Sequence, residues 1–296
     1  MTRLRRSVLI CPGNNARMVA KAATLPADEV VLDLEDAVAA DEDTHRRARV
    51  ELASLLESID FGARSVAVRI NGVGGALALQ DLLELVPRVG SRISSLVVPK
   101  VSHPSEVGFV EHCLDALEQP GSPRLGLEIQ IEDAAGLEAV SELAASSSRL
   151  QALIFGPGDF AASMGMPQVA IGTPAEGYPG DVWHYPLFRI AVAARARGLQ
   201  VIDGPYALLG DPSGLESVCR RAAALGVDGK WAIHPDQLAT INSAFTPSPA
   251  QVARARDVLG ALGARGGASR LGQEMVDEAN RRMAEMVLAR SRGDEE

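Results

Sequence analysis

Eight short apolar runs, spaced by helix-like stretches, constrain this chain more than any other feature of it. The runs are Arg6–Cys11, Glu29–Asp36, Arg64–Asn71, Ser95–Lys100, Leu125–Asp133, Leu153–Asp159, Gln200–Gly204 and Gly229–Pro235. Their Val, Ile and Leu follow one another without polar alternation, the pattern of strands covered on both faces in a parallel sheet. Helical patterns such as Ala191–Arg197 and Leu215–Leu225 fall between them. Eight strands alternating with helices in a 296-residue chain predict an α/β protein, a closed (β/α)8 barrel (TIM barrel) with a C-terminal helical extension. An open doubly wound sheet would carry a phosphate-binding glycine fingerprint after its first strand, and Pro12-Gly13-Asn14-Asn15 is not one.

Charge and cysteine usage narrow the class of function. The net charge of −9 argues against nucleic acid as a partner. No apolar run approaches the ~20 residues of a bilayer-spanning helix, so no membrane role is expected. The basic start, Met1–Arg6, leads into a segment interrupted by Pro12 and Gly13, which reads as a first strand and not a signal peptide. Cys11, Cys113 and Cys219 have neither metal nor redox spacing, as expected of a cytoplasmic protein. Arg3, Arg5, Arg6, Arg17 and Lys21 all precede the first acidic residue, Asp28. They form either a patch suited to a phosphorylated ligand or a solvated face.

In a barrel the active site lies at the C-terminal ends of the strands. Polar residues concentrate there: Asp33, Glu35, Asp36, Arg69, Asn71, Lys100, Glu132, Asp159, Asp203 and His234. Glu132 and Asp159 each close an apolar run. Two carboxylates delivered side by side repel unless a cation lies between them, and a hard divalent ion, Mg2+ first, suits oxygen ligands. The alternative is that either one caps the helix that follows. Glu128 and Gln130 share the face of Glu132, because side chains alternate along a strand, so Glu128 needs a partner inside the barrel.

The long segment from Ala161 to His184, rich in Gly and Pro and carrying Trp183 with Tyr185 just beyond, is expected to wall the site. Thr246-Pro247-Ser248-Pro249 reads as a linker. The expected division is a catalytic barrel over residues 1–246 and a helical lid or oligomerisation segment over 247–296. In the latter, a helix over Ala250–Leu262 and a hinge over Gly263–Ser269 precede a last helix starting near Glu274.

The order and spacing of Arg6-Ser7, Pro12-Gly13, Asp33-Leu34-Glu35-Asp36, Arg69-Ile70-Asn71, Pro99-Lys100, Ile131-Glu132, Gly156-Pro157-Gly158-Asp159 and Gly229–Pro235 resemble the citrate lyase β-subunit/HpcH-HpaI aldolase superfamily. Ala161–Gly165, Asp181–Tyr185 and Asp203–Tyr206 look most like its malyl-CoA/β-methylmalyl-CoA lyases, although the 172–181 loop is shorter here. The resemblance implies that Glu132 and Asp159 bind Mg2+, with Mn2+ as the alternative ion. It implies that Arg69 faces the oxygen on which charge develops, and that Glu35 and Asp36 hold metal-bound water and orient Arg69. Arg17 and Lys21 would reach the phosphates of coenzyme A, and Gly158, Pro99 and Lys100 would complete the substrate site. Asp277, in the tail of an adjacent subunit, would be the acid/base, which makes a homotrimer or hexamer the expected assembly.

The activity so implied is a Mg2+-dependent oxo-acid lyase that cleaves L-malyl-CoA, or a methylated homologue, to glyoxylate and acetyl- or propionyl-CoA. Rival readings are a malyl-CoA thioesterase, a citramalyl- or citryl-thioester lyase including a citrate lyase β-type subunit, an aldolase acting without coenzyme A, and an inactive binding protein. A Schiff base at Lys100 or Lys230 is redundant beside a metal.

Overall fold

The computed structural model describes residues 4–38, 42–62, 64–167, 170–175, 177–263 and 267–291. The chain forms two compact units, Arg5–Ile241 and a second made of Asn242–Glu296 with Met1–Leu4.

In the first unit eight parallel strands close into a barrel in simple sequential order. They are β1 (Ser7–Pro12), β2 (Glu29–Asp33), β3 (Ser65–Arg69), β4 (Ser95–Val98), β5 (Gly126–Ile131), β6 (Leu150–Phe155), β7 (Gln200–Asp203) and β8 (Gly229–Ala232). Except at β1, the ladders stop earlier than the apolar runs do. β2, for example, ends at Asp33, so Glu35 and Asp36 belong to the loop beyond it. The intervening helices are α1 (Ala16–Ala22), α2 (Glu42–Ser58), α3 (Ala76–Val89), α4 (Pro104–Leu117), α5 (Ala134–Leu143), α6 (Pro157–Ser163), α7 (His184–Arg195) and α8 (Pro212–Ala224). Strand alternation sends Val8, Val31, Ala67, Val97, Ala152, Ile154, Ile202 and Trp231 into a shared core inside the barrel. The opposite face of each strand packs beneath the helices, so both faces are dry.

Local signals set the helix starts. Asn15 caps α1 by accepting from Met18 N, and His103 with Glu106 forms a reciprocal capping box at α4. The cap of α5 is Asp133, whose carboxylate accepts from Gly136 N at 2.6 Å. That leaves the neighbouring Glu132 with no capping duty.

The second unit begins within α9 (Leu238–Phe245) and continues with α10 (Pro249–Leu262), β9 (Ser269–Leu271), β10 (Glu274–Val276) and α11 (Glu278–Ser291). Ala255, Val258, Leu262, Val276 and Ala284 form its small core. The expectation of a helix from Glu274 is corrected here. Residues 274–276 pair antiparallel with 269–271, turning at Gly272, whose φ of +63° suits glycine. Of the expected hinge, residues 264–266 lie outside the described residues. No helix among the described residues is long and apolar enough to cross a membrane.

Candidate active site

The site grows out of the ends of four adjacent strands, β2 to β5. Asp33 ends β2 and stands in register with Arg69, which ends β3. Asp33 grips the guanidinium with both oxygens, at 2.6 Å from Nε and 2.7 Å from Nη2, a planar two-point pairing only arginine can make. Its own oxygens also accept from Glu35 N and Ala37 N, so it shapes the loop as well. Glu35 and Asp36 approach Nη1 of Arg69 at 2.9 and 3.3 Å. The guanidinium lies over the Trp231 ring, 5.5 Å from its centroid. Arg69 is thus held by three carboxylates. Asp33, which makes the strongest of these contacts, was expected at this face but given no role of its own; the register of β2 with β3 supplies that role.

Lys100 connects this cluster to Glu132. It follows Pro99, buried at the end of β4, and its φ of +55° is unusual for a residue with a side chain. That conformation aims its N–H at Glu132 Oε1, 2.7 Å away. Its ammonium lies 2.5 Å from Glu35 and 3.7 Å from Asp36. Burial alone lowers the pKa of Lys100, but the hydrogen bond to Glu35 and the charges of Glu35 and Asp36 outweigh it and hold the group protonated. Lys230, fully buried, has its ammonium 2.5 Å from Asp203. Both ammonium groups are engaged by carboxylates.

Glu132 projects inward just beyond β5 and is buried. Its Oε2 accepts from Gln130 Nε2 at 3.2 Å. Burial first, then the charges of Glu35 and Asp159, push its carboxyl up to about 8, against the Lys100 N–H. Glu35 is likewise raised by burial, with Arg69 and Lys100 opposing. Asp159 lies in the first turn of α6, three residues past its cap Gly156, not at a strand end as expected. Its carboxylate is exposed and accepts no hydrogen bond from a described residue. It lines a cavity of about 340 Å³ with Asp36, Gly158, Ala161, Ile171 and Trp183.

A divalent cation fits this donor set. Burial first, and then the charges of Glu35 and Asp159, press Glu132 toward protonation, which a cation would offset, and the Asp159 carboxylate accepts no hydrogen bond from a described residue. Glu132 and Asp159 would supply two oxygens to such an ion and leave its other positions to water or substrate. That sparse protein share is the habit of Mg2+.

Other expected residues fall elsewhere. The basic N-terminal patch is divided: Arg3 lies outside the described residues, and Arg5 sits buried at the closed end of the barrel. Arg5 pairs there with Glu29 at 3.1 Å and Glu128 at 3.3 Å, and Arg6 pairs with Asp28 at 2.9 Å. Glu128 thereby finds its partner, with Ser95 Oγ donating at 2.7 Å. Arg17 and Lys21 stay exposed, four residues apart on α1. Asn71 is engaged by Asp81, and Asp203 faces the outer layer with Lys230 because its neighbour Ile202 faces inward. His234 caps a 3-10 turn. Trp183 is buried against Phe155 and donates to Thr173 O, whereas Tyr185 is exposed. Asp277, in the second unit, is exposed, and its Oδ1 accepts from Ala279 N and Asn280 N at the start of α11.

Residues 6–235 match the family model described as HpcH/HpaI aldolase/citrate lyase. An L-malyl-CoA/beta-methylmalyl-CoA lyase of Cereibacter sphaeroides is 38% identical over 301 residues, covering 97% of this chain and 94% of that one. A (3S)-malyl-CoA thioesterase of the same species is 35% identical over 249 residues, covering 83% and 79%. Among solved structures, the protein CitE of Mycobacterium tuberculosis in complex with magnesium, acetoacetate and coenzyme A superposes with a TM-score of 0.78. It is 30% identical, with 98% of this chain and 99% of that one covered.

Proposed function

The chain belongs to the HpcH/HpaI aldolase/citrate lyase family, and on that premise we propose that it is a Mg2+-dependent carbon–carbon lyase. Its substrate is L-malyl-CoA or a methylated homologue, and its products are glyoxylate and acetyl- or propionyl-CoA. The observation that carries this reading is the Glu132–Asp159 carboxylate pair beside an arginine locked by Asp33, in a chain similar over nearly its whole length to a lyase of that substrate.

Cleavage breaks the bond between the hydroxyl-bearing carbon and the carbon next to the thioester. The hydroxyl gives up a proton and becomes the carbonyl of glyoxylate, while the electron pair passes to the thioester as an enolate. A proton delivered to that carbon restores the acyl group, so gain and loss of protons balance. Glu132 and Asp159 would hold Mg2+, which would supply Lewis-acid stabilisation of the oxygen that becomes the carbonyl. Arg69 presents fixed positive charge to the same region. Its orientation is set before substrate arrives, so no reorganisation is needed as charge develops. Glu35 and Asp36 steady Arg69 and Lys100 and take the role of holding water near the ion. Gly158 lines the cavity beside Asp159, and Pro99 precedes Lys100 at the end of β4. Asp277 is assigned as the acid/base at the acyl carbon, contributed within a homotrimer or hexamer, and Arg17 and Lys21 as contacts to the coenzyme A phosphates. The expected location is the cytoplasm.

A thioesterase is the second reading, favoured by the 35% identical relative that carries that activity in its name. The two separate in one assay. With L-malyl-CoA and Mg2+, the lyase releases glyoxylate and no free thiol; thiol with malate and no glyoxylate would establish the hydrolase instead.

A further inference from the structure

We propose that Gln130 is a positioning residue that presets the Glu132 carboxylate for the divalent cation, an inference that rests on the metal reading above. Glu128 and Gln130 of β5, with Glu132 just beyond its end, project on one side into the barrel, and all three are buried. The middle member donates from Nε2 to Glu132 Oε2 at 3.2 Å, while Lys100 N donates to Oε1 at 2.7 Å. One donor therefore holds each oxygen. A third side is closed by Gly156, where an added Cβ would stand 2.5 Å from both Cβ and Oε2 of Glu132. The carboxylate plane is fixed, with lone pairs left over on both oxygens.

An amide is an odd choice for plain filling. Gln130 Oε1 is buried and accepts no hydrogen bond among the described residues, so the side chain keeps an orphaned acceptor in the barrel. An apolar side chain of the same length would fill that space without the orphan. What the amide adds is its single hydrogen bond to Glu132. Its neutrality matters too. A lysine here would neutralise Glu132 and compete with the cation, and a glutamate would place a third carboxylate between Glu128 and Glu132. A neutral donor orients the carboxylate and leaves its charge for the ion.

The test replaces the donor and keeps the shape. Full-length Gln130→Met and wild type are stripped with EDTA, and Mg2+ binding is measured by calorimetry without substrate, alongside the melting temperature. The expected result is a Mg2+ dissociation constant raised on the order of 10–100-fold with melting little changed. In turnover, the Mg2+ concentration for half-activation rises while KM for the thioester at saturating Mg2+ does not. A merely space-filling residue would move melting and leave the Mg2+ constant alone. If the Met variant does not fold, the smaller Gln130→Leu reads the same constant. A dissociation constant within about twofold of wild type in a folded variant, well below the effect expected of an orienting partner, overturns the proposal. Wild type that binds no Mg2+ overturns the metal reading and this inference with it.

Discussion

At the residue scale the site is organised by pairs of groups that fix one another. Arg69 is the clearest case: the fork it makes with Asp33 cannot be rebuilt by an ammonium, which has no planar two-point donor. Arg69→Lys is therefore expected to keep its charge but lose about 10²-fold in kcat, the usual scale for a misplaced electrostatic stabiliser; steady-state kinetics at saturating Mg2+ check it, and an unchanged kcat would remove Arg69 from the chemistry. Gly156 gives a second case. Its position allows no Cβ against Glu132, so Gly156→Ala should push the carboxylate aside. We expect Mg2+-dependent turnover to fall at least about tenfold, at a folding cost of about 1–3 kcal/mol, read from activity and urea denaturation of one preparation. The sequence already displayed most of this cluster, because its members end apolar runs. It did not distinguish Asp33 from Glu35 and Asp36, three carboxylates in four positions, since only barrel register says which one meets Arg69. The capping alternative for Glu132 also needed coordinates, because Asp133 next to it is equally acidic and takes that duty.

At the element scale, the eight strands were readable because parallel strands covered on both faces must be continuously apolar. Their ends were less so, since a ladder can stop before the polar loop residues begin. The hairpin of β9 and β10 was misread as helix: three residues per strand are too few to show alternation, and the only local signal was Gly272 between them. Parity along β5 predicted that Glu128 points inward, and the structure supplies Arg5 as its partner. Burial first, and then the charge of Glu29, hold the Glu128 carboxyl above its ordinary range despite Arg5. The sign follows. As pH rises from the ordinary carboxylate range toward neutrality, the unfolded chain has already released this proton while the folded barrel still holds it, so stability falls. The midpoint of urea unfolding should decline over that interval in wild type, and Glu128→Gln should flatten the decline. An equal slope in both proteins would assign the dependence to other groups.

At the scale of the whole molecule, the eight-stranded barrel carries its polar cluster at the C-terminal ends of the strands, where barrel sites lie. The tail unit is expected from the sequence as a helical addition, and it adds a short hairpin, β9–β10, to its helices. Asp277→Ala is expected to retain binding of a malyl thioester and lose at least about 10²-fold in turnover, within the range of general acid–base catalysis. Unchanged kinetics would leave Asp277 as the helix cap it is seen to be. The most direct test of the central claim is a metal titration of the lyase reaction. Wild type and Asp159→Ala are stripped with EDTA, supplied with L-malyl-CoA, and titrated with Mg2+ while glyoxylate is followed. The account predicts no glyoxylate before Mg2+, saturable recovery in wild type, and none in the variant. Glyoxylate formed at full rate without metal, or an Asp159→Ala protein that recovers as wild type does, would contradict it.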